Sequence, residues 1–342
     1  MEQLKSKCLN DMPRPADTMT QRSLSVVIAC YKDAGSVREF YRRLCQVLPT
    51  ITPHYEIIYV NDASPDDAGA ILKEISQNDP HLVVVNHTRN FGSQNAFLSG
   101  MKVSRGDAVV LMDGDLQDPP ALIPQLVAKW QEGYDIVYGI RVKRIETLFR
   151  QFGYKVFYRL FRRLADIAIP LDAGDFGLMD QKVVSCLLED FPEHLVFLRG
   201  LRAYTGFRHA GVEYIRDSRF DGLSTNSLSS NIRWARMAIF SFSKKPLAYI
   251  STMAFVVLLL TLLATVFYCF AYLFSGRTAP SGFMTLLLIT LFLGSVQLIC
   301  FSIIAEYLGH MYTEIKSRPR YIVREVIDRR DEMDGPSRPS KK

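Results

Sequence analysis

The 342-residue chain has no Cys-x-x-Cys pair, no Gly-x-Gly-x-x-Gly after its first strand-like run, and no Walker Gly-x-x-x-x-Gly-Lys loop. Each absence excludes a class of chemistry. Cys8, Cys30, Cys45, Cys186, Cys269 and Cys300 are scattered, and His54, His81, His87, His194, His209 and His310 show no ligand spacing. A zinc site and a disulfide framework are therefore not expected, and the thiols read as reduced packing groups. Without the glycine fingerprint a dinucleotide-binding reading is weak, and without the Walker loop so is a kinase or nucleotidyltransferase. The opening MEQLKSKCLNDMPRPADTMTQ has no apolar core, so it is no secretory signal, and residues 1–22 read as a disordered arm. Formal charge is only +6 with no Lys/Arg block, so nucleic acid is not an expected partner.

Charge is also missing from two long runs, Pro246 to Gly276 and Thr278 to Ala305. Each exceeds the about 20 apolar residues needed to cross a bilayer. They predict a transmembrane hairpin over 246–305, with spans at about 247–274 and 282–305 and a short turn holding Pro280. A buried soluble helix pair is the competing reading. Lys244 and Lys245 precede the hairpin, Lys316, Arg318 and Arg320 follow it, and Arg277 alone lies in the turn. The positive-inside rule then puts both ends in the cytoplasm. The expectation is a multi-pass protein of the inner (cytoplasmic) membrane with a cytoplasmic catalytic domain. Phe149 to Leu164 and Ser229 to Phe242 interleave aromatics with Arg and Lys, and residues 227–245 are expected to lie as an amphipathic helix on anionic headgroups. An ordinary amphipathic helix packed on the core is the equal alternative. Residues 306–342 form a cytoplasmic tail, charged and expected to be disordered beyond Arg324.

Between residues 23 and 226 strand-like and helix-like runs alternate. Leu24–Cys30, Tyr55–Asn61, Leu82–Asn86, Ala108–Asp113 and Asp135–Gly139 read as strands; Val37–Leu48, Ala68–Gln77, Gln94–Val103 and Pro120–Gln131 read as helices. Continuous apolar strands in alternation with helices predict an α/β domain with a mostly parallel sheet covered on both faces. Ligands of such sheets bind beyond the carboxyl ends of the strands. Tyr31, Asp33, Asn61, Asp62, Arg89, Asn90, Asp113 and Asp115 all fall there. The most telling stretch is AVVLMDGDLQDPP, from Ala108 to Pro120. An apolar strand ends in Asp113 and Asp115, Gln117 follows at the same spacing, and a proline pair stiffens what comes next. Two neighbouring carboxylates repel and need a cation. Oxygen ligands with few protein contacts suit Mg²⁺ or Mn²⁺, with substrate phosphate and water completing the shell. A solvated acidic turn is the alternative.

Several segments resemble the family 2 glycosyltransferases, inverting GT-A enzymes, and within them the polyprenyl-phosphate glycosyltransferases that include bacterial GtrB-type enzymes and dolichyl-phosphate mannose synthases. They are SVVIACYKD (25–33), EIIYVNDASPDD (56–67), TRNFGSQNAFLSGM (88–101), residues 106–141 around the Asp-x-Asp turn, PLDAGDFGLMD (170–180), FLRGL (197–201) and FSFSKKPL (240–247). The likeness runs from about 24 to 322 and takes in EYLG and RPRY at the second span and its exit. It implies that Ala29, Tyr31, Asp33, Asn61 and Asp62 hold the nucleotide base and ribose, and that Asp113, Asp115 and Gln117 hold metal and diphosphate. It implies Asp175 as base or orienter of the acceptor, and Arg141, Arg216, Arg219 and Ser224 as groups around the phosphates. The sequence departs from the family pattern twice. Asn61 stands for the first of two aspartates, and Thr225 stands for the lysine of an R-x-x-G-x-[ST]-K loop.

The resemblance implies transfer of a sugar from a nucleotide sugar, UDP-glucose or a related UDP-sugar, to a polyprenyl phosphate such as undecaprenyl phosphate. Inversion follows from direct displacement at the anomeric carbon, and the product would serve cell-envelope glycan modification. A phosphate acceptor is largely ionised at neutral pH, its second pKa being about 6, so a strong base is dispensable and an arginine grip matters more. A GDP-mannose-dependent mannose synthase and a non-catalytic membrane scaffold remain open, and a second copy of the chain is an admissible partner. A processive polysaccharide synthase is disfavoured, because more spans and a Q-x-x-R-W motif are not found.

Overall fold

The structure is a computed structural model and describes residues 20–141, 173–194, 196–215, 243, 245–274 and 282–332. Contacts divide the chain into two units: residues 1–152, 167–228 and 318–342 form one, and 153–166 with 229–317 the other.

The first unit is built on one eight-stranded sheet. Its strands are β1 (Leu24–Cys30), β2 (Tyr55–Asn61), β3 (Leu82–His87), β4 (Ala108–Asp113), β5 (Ile136–Arg141), β6 (Ala173–Asp180), β7 (His209–Tyr214) and β8 (Val323–Ile327), in the order β7-β5-β6-β4-β1-β2-β3-β8. Pairs β1–β2, β1–β4, β2–β3 and β5–β7 are parallel, whereas β6 runs antiparallel to β4 and β5, and β8 antiparallel to β3. The α/β expectation with a mostly parallel sheet is met, with a mixed rather than a uniform sheet.

Helices α1 (Ala34–Val47), α2 (Ala68–Asn78), α3 (Ser93–Val103) and α4 (Ile123–Gln131) follow β1 to β4, and α5 (Gln181–Glu189) and α6 (Leu198–Tyr204) follow β6. Every residue of β1 is buried, as the unbroken run LSVVIAC requires of a strand covered on both faces. Phe40, Leu44, Leu72, Ile123, Leu126 and Trp130 from the helices close over this sheet to form the core. Gly100 lets α3 lie flush on it: a Cβ there would sit 2.3 Å from Val27 Cγ1. Pro120–Leu122 forms a 3₁₀ turn ahead of α4, so the prolines stiffen the chain where expected but start the α-helix later, at Ile123.

Two expectations need correction. The tail beyond Arg324 was expected to be disordered, yet Val323–Ile327 adds an edge strand to β3 and the chain stays ordered to Glu332. Arg330 is buried against Glu56 and also binds Asp328, with Nε–Oδ1 at 2.8 Å. The short segment VREVI has no amphipathic signal strong enough to stand alone. Its partners lie some 240 residues away on β3, where an unpaired edge offers backbone groups. The disordered arm expected over 1–22 lies outside the described residues up to residue 19, but Thr20 is already tied down, donating to Ile51 O at 2.8 Å.

The second unit holds α7 (Lys245–Phe274) and α8 (Phe283–Lys316). Tyr307 of α8 donates to Ser243 O just before α7, at 2.7 Å. Among the described residues one helical stretch, Phe292–Lys316, is long and apolar enough to cross a membrane, and none of its most apolar window is buried. A second span is not established by that measure. Helix α8 also outlasts the expected span, running on to Lys316 rather than stopping at 305. The turn at 275–281, the basic aromatic stretches 149–164 and 229–242 and the end of the tail lie outside the described residues.

Candidate active site

Beyond the carboxyl ends of β1, β2 and β4 three loops meet. Each contains a non-glycine residue in the left-handed region: Lys32 at φ 60°, Ala63 at φ 52° and Leu116 at φ 58°. That conformation is costly for a side chain and is characteristic of positions fixed for function. Hydrogen bonds hold the loops together. Lys32 N donates to Ser64 Oγ (2.7 Å), Ser64 Oγ to Asp66 Oδ1 (2.5 Å), and Ala34 N to Asp66 Oδ2 (3.0 Å). Burial works to raise the Asp66 carboxyl, but Ser64 and the backbone amides of Ala34 and Ala68 outweigh it and hold it below its ordinary value.

The Asp113-Gly114-Asp115 turn rests directly on the end of β1. Gly114 N donates to Ala29 O at 2.9 Å, and Ser36 Oγ donates to Gly114 O at 2.6 Å. A Cβ on Gly114 would lie 2.9 Å from Ala29 O and 3.2 Å from Asp33 Oδ2, so only glycine lets the acidic turn approach this closely. Asp115 Oδ1 accepts from Gln117 N at 3.1 Å. Asp33, Asp113, Asp115 and Gln117 are thus brought to one edge, with Tyr31 beside them, 39% exposed and with the Lys32 ammonium 5.5 Å from its ring centroid. Among the described residues no three acidic, histidine or cysteine side chains form a ready-made metal cage. A pair of carboxylates is nevertheless the donor set that suits Mg²⁺ or Mn²⁺ when phosphate and water supply the other ligands.

Three more of the residues expected to hold the donor lie at this edge and bond within the protein. Ala29 is 8% exposed and works through its carbonyl. Asn61 accepts from Ser64 N at 3.0 Å and donates to Asn86 Oδ1 at 2.9 Å, inside the loop. Asp62 is 2% exposed, and its carboxylate takes Phe91 N (2.9 Å), Gly92 N (2.7 Å) and His87 Nδ1 (2.7 Å).

On the other side of β4 the structure gathers two expected residues, Asp175 and Arg141, with Arg199, Arg202, Tyr214 and Asp118, which sequence reading missed. Arg199 on α6 grips Asp175 through both nitrogens, at 3.0 and 2.9 Å. Arg202, one turn on, donates to Gly174 O at 2.8 Å. Arg141 leans over Gly174, where a Cβ would meet its guanidinium at 2.7 Å. It also donates to Tyr214 OH at 3.2 Å, and Tyr214 in turn donates to the buried Asp118. Burial alone would raise Asp175, but Arg199 and Arg202 outweigh it and bring the carboxyl down to about 2. Arg202 is lowered as well, by burial, to about 10, and it stays a cation at neutral pH. The Arg199 side chain is 37% exposed against 9% for Asp175, so the pair shows its cationic side outward. Arg199 and Arg202 stand three apart on one helix within FLRGL, the signal that could have found them. Arg216, Arg219, Ser224 and Thr225 lie outside the described residues.

The glycosyl transferase family 2 model matches residues 25–188, the segment that carries this edge. An uncharacterised glycosyltransferase of Synechocystis sp. is 40% identical over 304 residues, covering 89% of this chain and 95% of the relative. The SfII prophage-derived bactoprenol glucosyl transferase of Shigella flexneri is 32% identical over 302 residues, covering 88% of this chain and 97% of the relative. Among solved structures, the mannosyltransferase PcManGT of Pyrobaculum calidifontis, in complex with GDP-Man and Mn²⁺, aligns over 92% of this chain and 94% of its own with TM-score 0.46 and 16% identity. An acidic turn at the carboxyl edge of an α/β sheet, within a segment that matches the family's model and in a chain this close to glycosyltransferases along nearly its whole length, has one reading: this chain belongs to glycosyl transferase family 2 and is a glycosyltransferase.

Proposed function

We propose that the enzyme transfers glucose from UDP-glucose to a polyprenyl phosphate, undecaprenyl phosphate, at the cytoplasmic membrane face, with inversion. The observation that carries the acceptor is the likeness to a bactoprenol glucosyl transferase over 97% of that protein, a length that includes the apolar helices. The unburied apolar stretch Phe292–Lys316 supports a site held at a bilayer. Apolar groups such as Leu298, Phe301 and Leu308 are more than half exposed there, and in water that surface would be costly.

In this reading Tyr31 faces the base and Asp33 the ribose. A Mg²⁺ or Mn²⁺ ion on Asp113 and Asp115, with Gln117 near, would neutralise the diphosphate as it leaves. An oxygen of the acceptor phosphate attacks the anomeric carbon from the opposite side, the bond from that carbon to the diphosphate oxygen breaks, and its electron pair leaves with UDP. A dianionic acceptor has no proton to lose, so Asp175 need not be a base. With a carboxyl at about 2, it serves by holding Arg199 for the acceptor phosphate, with Arg141 and Arg202 beside it.

Purified protein should be given radiolabelled UDP-glucose, UDP-N-acetylglucosamine and GDP-mannose in turn, with undecaprenyl phosphate. A lipid-linked product from UDP-glucose that EDTA abolishes, and that Asp115→Asn forms at well under a tenth of the wild-type rate, is the expected result. Product from GDP-mannose alone would reassign the donor. No product from any donor would favour a scaffold, and undiminished turnover in EDTA would remove the metal.

A further inference from the structure

The RPRY segment, Arg318 to Tyr321, has no part in the chemistry above, yet it is fastened to the catalytic unit within a few residues of leaving α8. Ser317, at φ 46°, ends the helix in a left-handed turn. Arg320 then donates to Phe191 O, and Thr88 N donates to Ile322 O at 3.0 Å. Arg324 closes back on Thr88 O at 3.2 Å, and Val323 opens the β8 ladder opposite His87. Between these anchors the ring of Tyr321 lies parallel to that of His87, with centroids 5.5 Å apart and an interplanar angle of 12°.

His87 is a junction. Its side chain is fully buried, with Nδ1 2.7 Å from Asp62 Oδ1 and Nε2 2.8 Å from Ser99 Oγ. The same Asp62 carboxylate holds Phe91 N and Gly92 N, and the Phe91 ring meets His87 edge-on at 5.6 Å. Gly92, at φ 89°, supplies the left-handed turn that brings both amides round to Asp62. The loop fixed in this way, residues 88–92, leaves the carboxyl end of β3 with Thr88, Arg89 and Asn90 exposed at the edge assigned to the donor. One face of the imidazole is covered by a residue that reaches it only after the membrane segment.

We propose that Tyr321 is a positioning residue for nucleotide-sugar binding: stacked on His87, it holds the His87–Asp62 pair and so sets the 88–92 loop of the donor site. The inference rests on reading the carboxyl edge as that site. A ring in van der Waals contact is what the role requires, not a hydroxyl, so phenylalanine satisfies it and leucine does not.

The test uses the full chain in detergent, titrated calorimetrically with UDP and, in parallel, GDP, each with Mg²⁺. Tyr321→Leu should weaken the nucleotide that wild type binds by about tenfold, as loss of an outer support commonly does. Tyr321→Phe should remain within about twofold, and the KM for undecaprenyl phosphate and the melting temperature should barely move in either. Unchanged nucleotide binding in Tyr321→Leu would overturn the inference, as would a loss shared equally by acceptor KM and melting temperature. Asp115→Asn separates the two levels. If it weakens the nucleotide and Tyr321→Leu does not, the inference alone fails. If wild type binds neither nucleotide, or Asp115→Asn binds as wild type does, the donor-site reading falls and this inference with it.

Discussion

Asn61 stands where the family pattern has a carboxylate, and its two hydrogen bonds explain why an amide works there. It accepts from Ser64 N and donates to Asn86 Oδ1, and an ionised carboxylate could not donate. Under the proposed mechanism Asp175 holds an arginine rather than taking a proton. A carboxyl at about 2 is ionised throughout the neutral range, so it cannot shape a rate profile between about pH 5 and about pH 9. Asp175→Asn should therefore lower turnover by about 10- to 100-fold while leaving the shape of the pH–rate profile unchanged. A wild-type limb near neutrality that vanishes in the variant would restore Asp175 as a base. The same depressed pKa predicts a stability effect with a definite sign. Its contribution is present above the ordinary carboxylate value of 3.8 and is lost as pH falls from about 4 toward 2, a window in which wild type should lose more stability than Asp175→Asn. Asp113, Asp115 and Asp175 could be singled out from the sequence because each sits in a short local motif. Arg199, Arg202, Tyr214 and Asp118 were not, because what matters is which charges the fold sets side by side.

At the scale of elements, β1 to β4 could be read to within a residue at their ends because each is a continuous apolar run bounded by turn residues. Strand β6 was missed since AGDFGLMD carries two aspartates and two glycines. Gly177 is there because a Cβ would lie 2.6 Å from Val137 O, a closeness that only the β5 partner reveals. Strand β8 was missed for a related reason: its pairing is with distant β3, and its anchor is the distant Glu56. That anchor is testable. Arg330 and Glu56 have side chains only 7% and 9% exposed, so Arg330→Leu leaves a buried carboxylate without its cation. The variant should lose about 3 kcal/mol of stability, the usual cost of breaking a buried pair from one side. Urea unfolding followed by far-UV circular dichroism measures it, and a loss below about 1 kcal/mol would mean that the tail is not held through this contact.

At the scale of the whole molecule, the orientation of the apolar helices decides whether the enzyme can be supplied. Under the proposed function the donor comes from the cytoplasm, so the sheet and its acidic turn would face that side, together with the β8 segment that pairs with β3. The basic residues agree: Lys244, Lys245, Lys316, Arg318 and Arg320 flank the helices, and only Arg277 lies in the turn between them. If both helices cross as one hairpin, the turn alone reaches the outside. In a variant with all six native cysteines replaced, Ser275→Cys should react with an impermeant thiol reagent on intact cells. Ser6→Cys and Ser340→Cys should react only after lysis. Labelling of Ser340→Cys but not Ser6→Cys in intact cells would reduce the anchor to a single crossing. It would also strand β8 on the wrong side of the bilayer from β3, which the sheet does not allow.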